Sequence, residues 1–528
     1  MTRRTRVLVA GAVATAVGLT AAGMGVANAA TDPPPLAFTL ATPNVVAERY
    51  IWDDDGQAYL YFDLGVNVIA GKDPFEIRAT RKSYADPIVA NQVVVKNGKK
   101  KNVQLPAGMV TGWGGLKDFT TVTIKDAAGA QVANYTTDFC PNSYNSARTR
   151  RDAPAENPYP QGCSDYNPFN LGAVWGIQAG WNAATDSMPK GEDFDLADGS
   201  YTATVSLNKQ YQDYFKIAAD SGTLKINVKV ETIDERETAD GEAVVAKSKA
   251  ARVGQDTSPE AAVAEHGEHA GQGDPSLQIS AYKPNFRPPA KKPKAVKASS
   301  IAKGPRPDLK SLPAWGISLN QEGDKSYVAF GATVWNAGTS PLLVDGFRQT
   351  GTDLMDAYQY FFDANGKETG SVAAGTMEWD AREGHRHWHF TDFAQYNLLA
   401  ADQKLAVRSG KEAFCLANTD AVDYTIPNAK WRPENTDLSS SCGQNTAVAV
   451  REVLDIGNGD TYTQDRPGQS FEVTDLPNGT YYIETKANPS NKLTELSTTN
   501  NTSLRKIILG GTPTARTLEV PPVNGIEG

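Results

Sequence analysis

A compositional break in the middle of the chain constrains its folding more than any other feature. From about Thr232 to Lys303 the sequence passes through "ERETADGEAVVAKSKAARVGQDTSPEAAVAEHGEHAGQGDPS" and then "FRPPAKKPKAVKASSIAKGPRP". Segments so rich in Ala, Glu, Gly, Pro and Lys cannot bury enough apolar surface to offset chain entropy, and the stretch reads as a disordered linker. With 528 residues the chain also exceeds what one ordinary core holds. Two folding units are expected, with a linker long enough to let them move independently. On that view the isolated C-terminal unit keeps whatever activity the chain has.

Both flanks carry strand patterning. Residues 36–231 contain short alternating runs such as "AYLYFDLGVNVIA", "TTVTIKD", "SYTATVSL" and "GTLKINVKV", separated by Gly, Asp and Pro turns. Residues 304–520 repeat the pattern in "SYVAFGATVWNAG", "DAYQYFFD", "HRHWHFTDFAQYNLL" and "GTYYIETKAN", punctuated by Asn365-Gly366 and Asn478-Gly479. Short strands at regular spacing predict an all-β chain made of two β-sandwich-like domains. The N-terminal one has no histidine and few chemistry-bearing residues, so its role stays open: substrate binding, a pro-region or surface attachment.

The chain starts like an exported protein. Arg3, Arg4 and Arg6 precede an apolar run from Val7 to Val26, and Ala27-Asn28-Ala29 supplies a cleavage pattern, so residues 1–29 read as a signal peptide. No later segment approaches the roughly 20 apolar residues that cross a bilayer, and no stable membrane insertion is expected. In a secreted chain Cys140, Cys163, Cys415 and Cys442 read as two local disulfides, Cys140–Cys163 and Cys415–Cys442. The formal net charge of −9 offers no footprint for nucleic acid and suits cationic partners, amines included.

The sharpest chemical signal is His385-Arg386-His387-Trp388-His389, which holds every histidine outside the linker pair His266 and His269. In a strand, residues i, i+2 and i+4 share a face, so the imidazoles form a nitrogen-rich metal site. The outer two Cα atoms of a flat strand lie about 13 Å apart, so one metal requires the strand to bend or the rings to lean inward. Imidazole suits zinc, copper, nickel and iron alike. A zinc hydrolase would also want a carboxylate base, for which Glu383 and Asp392 are candidates.

Neighbouring residues carry a resemblance. "MEWDAREGHRHWHFTDFAQYNLL" resembles the copper-binding stretch of the lysyl oxidase family, and "SGKEAFCLANTD" resembles its Lys-x-x-Phe-Cys-Leu segment. "GDTYTQDRPGQSFEVTDLPNGTYYI" is similar to the stretch beginning Asp-Thr-Tyr, and "LTELSTTNN" to a Glu-x-Asp-x-x-Asn-Asn run. The pieces occur in the family's order between Pro307 and Ile508. The resemblance implies that His385, His387 and His389 bind Cu(II), and that Lys411 and Tyr462 form the covalent cofactor lysine tyrosylquinone. It implies oxidative deamination of primary amines, of the peptidyl-lysine or small-amine class, by molecular oxygen, giving aldehyde, ammonia and hydrogen peroxide. It also implies a calcium site of Asp308, the Leu309 carbonyl, Glu495, Asn500 and Asn501, with oxygen donors suited to that ion.

The sequence departs from the family at Ser497, where the family has Asp, and at Gln395, where it has His. The second change leaves the proton-abstracting base unassigned, with Asp392 and Asp460 as candidates by proximity. Two other readings remain open: a secreted copper-binding β protein without turnover, and a zinc-dependent hydrolase.

Overall fold

The computed structural model describes residues 36–51, 58–96, 98–163, 166–189, 194–234, 292–301, 303–381, 386–391, 393–408, 413–432, 440–464, 466 and 468–528. The candidate export signal, His266, His269, His385, Glu383, Asp392, Lys411 and most of the stretch read as linker lie outside the described residues.

The described chain is almost entirely β-sheet, as the alternating pattern requires. In the N-terminal half the strand Val66–Ala70 shows the cause plainly: Val66, Val68 and Ala70 are buried while Asn67 and Ile69 face outward. Three sheets form this half. The largest has six strands in the order Ala58–Tyr61, Asn44–Ile51, Thr223–Asp234, Gly199–Leu207, Leu116–Asp126, Gln131–Phe139. Its last strand in sequence, Thr223–Asp234, runs parallel to Asn44–Ile51, one of the earliest. The apolar faces close over a core that includes Trp175, Phe139, Leu64 and Ile226.

The C-terminal half has three further sheets around a second core. One six-stranded sheet runs Ala413–Phe414, His387–Thr391, Glu368–Asp380, Leu354–Phe362, Leu342–Arg348, Ala449–Leu454. Another carries Asn458–Tyr462 between Lys325–Asn336 and Asp420–Ala421. Aromatic rings knit the layers together. Phe330 stacks on Phe471 at 4.8 Å between centroids, and Tyr396 stands edge-on to Phe330 and Phe414 at 5.4 and 5.8 Å. Both expected disulfides are present, Cys140–Cys163 and Cys415–Cys442, with Cα separations of 5.8 and 5.9 Å.

The expectation of independently moving halves is corrected by their contact. Phe169, which follows the Cys140–Cys163 loop, is fully buried in a cluster with Leu312, Trp315, Trp335 and Val422 of the C-terminal half. Tyr159 stacks on Trp431 at 6.0 Å, and the Arg78 guanidinium lies 5.6 Å over the same indole. Backbone bonds run across as well: Leu171 and Gly172 both donate to the Val422 carbonyl, and Tyr424 donates back to Gly172. A Cβ on Gly172 would meet Asp423 Oδ1 at 2.1 Å, and that carboxylate is held by the Thr425 amide and hydroxyl. A long connection permits independence but does not impose it. Burying a phenylalanine alone contributes about 2–3 kcal/mol. The ends of the stretch read as linker also pack, residues 232–234 within Thr223–Asp234 and Val296 by its amide on the Ser371 carbonyl.

Cutting the chain between Asp234 and Lys292 is therefore expected to leave two pieces that co-elute in size-exclusion chromatography. The cut Gly172→Ala protein should fall apart into separate peaks. Separation of the unsubstituted pieces would show that the contact does not hold in solution.

Candidate functional site

The histidine strand His387–Thr391 sits second from the edge of its sheet, between Glu368–Asp380 and Ala413–Phe414. Alternation sends Trp388 into the core, fully buried, and turns His387 and His389 to the other face. The two Nε2 atoms converge to 2.8 Å, and the rings lie 4.6 Å apart at 73°. Two nitrogens so spaced subtend roughly a right angle at an ion about 2.0 Å from each. Converging imidazole nitrogens of this kind would hold a first-row transition metal.

A carboxylate completes the picture from behind. Asp380 is 8% exposed and its Oδ2 lies 3.4 Å from His389 Nδ1. At that distance the carboxylate is an ion-pair neighbour of the ring and favours a proton on its Nδ1 side electrostatically. Asp380 stands in the "MEWDAREG" run but was not singled out from sequence, because its role depends on pairing across strands with His387. Among the described residues no group of three or more His, Cys, Asp or Glu gathers at one point, and His385 lies outside them.

Tyr462 ends the strand Asn458–Tyr462 and pairs with Ala332. Its hydroxyl accepts from the Cys415 amide at 3.1 Å and donates to the Cys415 carbonyl at 3.2 Å. Its ring meets that of Phe414 edge-on at 5.1 Å. Phe414 pairs in turn with Phe390, the residue after His389, so a two-residue strand separates the tyrosine from the histidine strand. Burial pushes the Tyr462 phenol well up, with Asp460, Tyr396 and Glu452 adding to it. The phenol is thus held neutral and able to donate.

Two buried carboxyls act on this phenol electrostatically. Asp460, two residues before Tyr462 and on the same face of the strand, is 3% exposed. Glu452 is fully buried; one oxygen accepts from the Leu416 amide at 2.9 Å, and the other has no hydrogen-bond partner among the described residues. Burial drives its carboxyl well above the usual range, against the lowering effect of the Leu416 amide. Glu452 was missed because "VREVLDI" reads as an ordinary strand, and no sequence signal marks its glutamate as inward-facing.

The Cys415–Cys442 bridge joins both sides of this arrangement. Cys415 holds the tyrosine hydroxyl, and the Cys442 carbonyl accepts from the amide of Trp388, between the two histidines, at 2.9 Å.

The five residues of the implied calcium site also converge. Glu495 accepts from the Leu309 amide at 2.9 Å and from Asn501 Nδ2 at 2.9 Å, and Asn500 Nδ2 donates to Asp308 at 3.0 Å. The Ser497 amide donates to Asp308 at 3.1 Å. Asn500 Oδ1 and Asn501 Oδ1 are buried without a hydrogen-bond partner among the described residues. Orphaned oxygens beside two carboxylates fit a hard cation, since carbonyl oxygens and carboxylates are its usual donors. Burial, more than any other cause, raises the Glu495 carboxyl.

Fold and geometry together define a β-sheet domain in which two imidazoles converge on one strand and a partly buried tyrosine packs against the short strand beside it. Residues 357–517 match the family described as Lysyl oxidase, which supports a place in that family for this part of the chain. The family brings copper-dependent amine oxidation in general terms. No curated protein matches the chain.

Replacing Cys415 and Cys442 together by Ser is expected to lower stability by about 3 kcal/mol, the loop-closure value for a bridge of this span. Metal affinity at the histidines should fall with it, measured by denaturant melts and copper titration. Unaltered copper affinity would show that the bridge only staples its own loop.

Proposed function

We propose that the chain is an exported enzyme that oxidatively deaminates primary amines, with peptidyl-lysine as the substrate class. It would bind Cu(II) through His385, His387 and His389 and carry lysine tyrosylquinone formed from Lys411 and Tyr462. Products would be an aldehyde, ammonia and hydrogen peroxide, with molecular oxygen as the oxidant. The observation that carries this reading is the Tyr462 hydroxyl bonded to Cys415, just after the strand that pairs with the one bearing the converging imidazoles. Ala413 is two residues beyond Lys411, and two residues of chain span at most about 7 Å. A lysine side chain covers that distance. The quinone, once formed, supplies an electrophilic carbonyl that ordinary side chains lack.

This chain's own groups have distinct tasks. Asp380 lies behind His389 as a negative charge on its Nδ1 side, and the Tyr462 phenol is oriented by the two Cys415 backbone groups. Asp460 is the described carboxylate on the tyrosine's face and the candidate to take a proton from bound amine; Asp392, the other candidate, lies outside the described residues. Packing of the Tyr462 ring against Phe414, itself held by Tyr396, limits water on that side and strengthens the polar contacts there. Calcium, held by Asp308, Leu309, Glu495, Asn500 and Asn501, would tie the start of the domain to its penultimate strand. Export agrees with the two disulfides, and no described helix is long and apolar enough to cross a membrane.

Mass spectrometry of the copper-loaded protein is expected to find a peptide joining Lys411 to Tyr462, with peroxide released on adding a primary amine. Tyr462→Phe should abolish both while leaving copper bound. Copper binding without the cross-link or peroxide in the unsubstituted protein would reduce the reading to a copper-binding β protein. Activity dependent on zinc would replace it with a hydrolase.

Calcium binding should weaken in acid. Because burial raises the Glu495 carboxyl, the metal-free site holds its proton to higher pH than an exposed glutamate would, and protons then compete with the ion. Added calcium is expected to raise the melting temperature at neutral pH and to lose that effect as pH falls through the raised carboxyl. An equal effect in acid would sink the site.

A further inference from the structure

We propose that the N-terminal half is a positioning partner for Tyr462, acting through Asn167. The inference rests on the function proposed above for that tyrosine, but its structural part stands separately. Asn167 belongs to the segment between the Cys140–Cys163 loop and the strand Gly172–Ile177, and it is completely buried against the C-terminal half. Its Oδ1 accepts from the Phe169 amide at 3.0 Å, which leaves its Nδ2 to face the other half. Nδ2 donates to Thr333 Oγ1 at 3.0 Å and approaches Asp420 Oδ2 at 3.5 Å.

From there the bonds run in one direction. Thr461 donates to Asp420 at 2.7 Å, and a threonine hydroxyl has one proton. In the 2.7 Å contact between Thr333 and Thr461, Thr333 must therefore be the donor. Its oxygen is left to accept from Asn167. The Thr461 amide is taken by Thr419 Oγ1 at 2.8 Å, and that hydroxyl donates to Asp420 at 2.5 Å. Thr461 is thus held by its side chain on one face of the strand and by its amide at the strand's edge, and the next residue, Tyr462, projects from the opposite face. Fixing Thr461 sets the direction of the tyrosine. The outermost donor of the chain of bonds comes from the N-terminal half, so the Tyr462 strand is set by a residue outside the family-matched region.

Asn167→Asp keeps the side chain's shape and puts an acceptor where Thr333 and Asp420 need a donor. In the full-length protein it is expected to speed hydrogen exchange at the amides of Gly459–Tyr462 by at least about ten-fold. Exchange in Glu368–Asp380 should stay as in the unsubstituted protein. Thr461→Val should reproduce the effect, and Thr461→Ser, which keeps the hydroxyl, should largely escape it. Per copper-loaded molecule, the yield of Lys411–Tyr462 cross-link and kcat should fall together in Asn167→Asp, with KM for a small primary amine unchanged. Unaltered exchange at Gly459–Tyr462, or an equal rise across the whole C-terminal half, would overturn the proposal. If the unsubstituted protein contains no cross-link, the proposed function fails, and the exchange comparison alone decides the positioning role.

Discussion

The Cys415–Cys442 bridge is the constraint on which the site depends. A tyrosine from one sheet and histidines from another have no reason to share a location. The bridge supplies it, because one half-cystine binds the phenol through its backbone and the other accepts an amide from within the histidine strand. Its covalent geometry is specific, so neither contact can drift without the other. Around it the aromatic rings of Phe414, Phe390 and Tyr396 fill the remaining volume and leave few alternative packings.

Holding polar groups in such a place carries an energetic cost. Glu452 and Asp460 are buried, and Tyr462 is half-buried; taking such polar groups out of water costs free energy that an apolar core would not. A sheet protein built for stability alone would not retain them. Burial instead raises both the Tyr462 phenol and the Glu452 carboxyl, the kind of environment in which protonation states are tuned for chemistry.

Much of this was legible in the sequence, for definite reasons. Two-residue alternation in runs such as "GVNVIA" fixed which side chains turn inward, and export with local cysteine spacing named both disulfides. The convergence of His387 with His389 follows from strand periodicity. Asp380 and Glu452 were not legible, because each acquires its role from a partner brought close only by sheet register. The association of the halves was misjudged for a related reason. Composition describes the connection, whereas attachment is decided by Phe169, Asn167 and Gly172, which look like ordinary loop residues until the opposing surface is known.

The parallel pairing of Thr223–Asp234 with Asn44–Ile51 bears on the order in which the molecule comes into being. That late strand lies between an early one and Gly199–Leu207, so the first half becomes topologically complete only when synthesis reaches Asp234. Everything needed to finish it has then been made, and none of the second half has. Since domains fold as units from the N-terminus during synthesis, the surface bearing Asn167 and Phe169 exists before the strands that dock on it. The second half therefore matures against a preformed template.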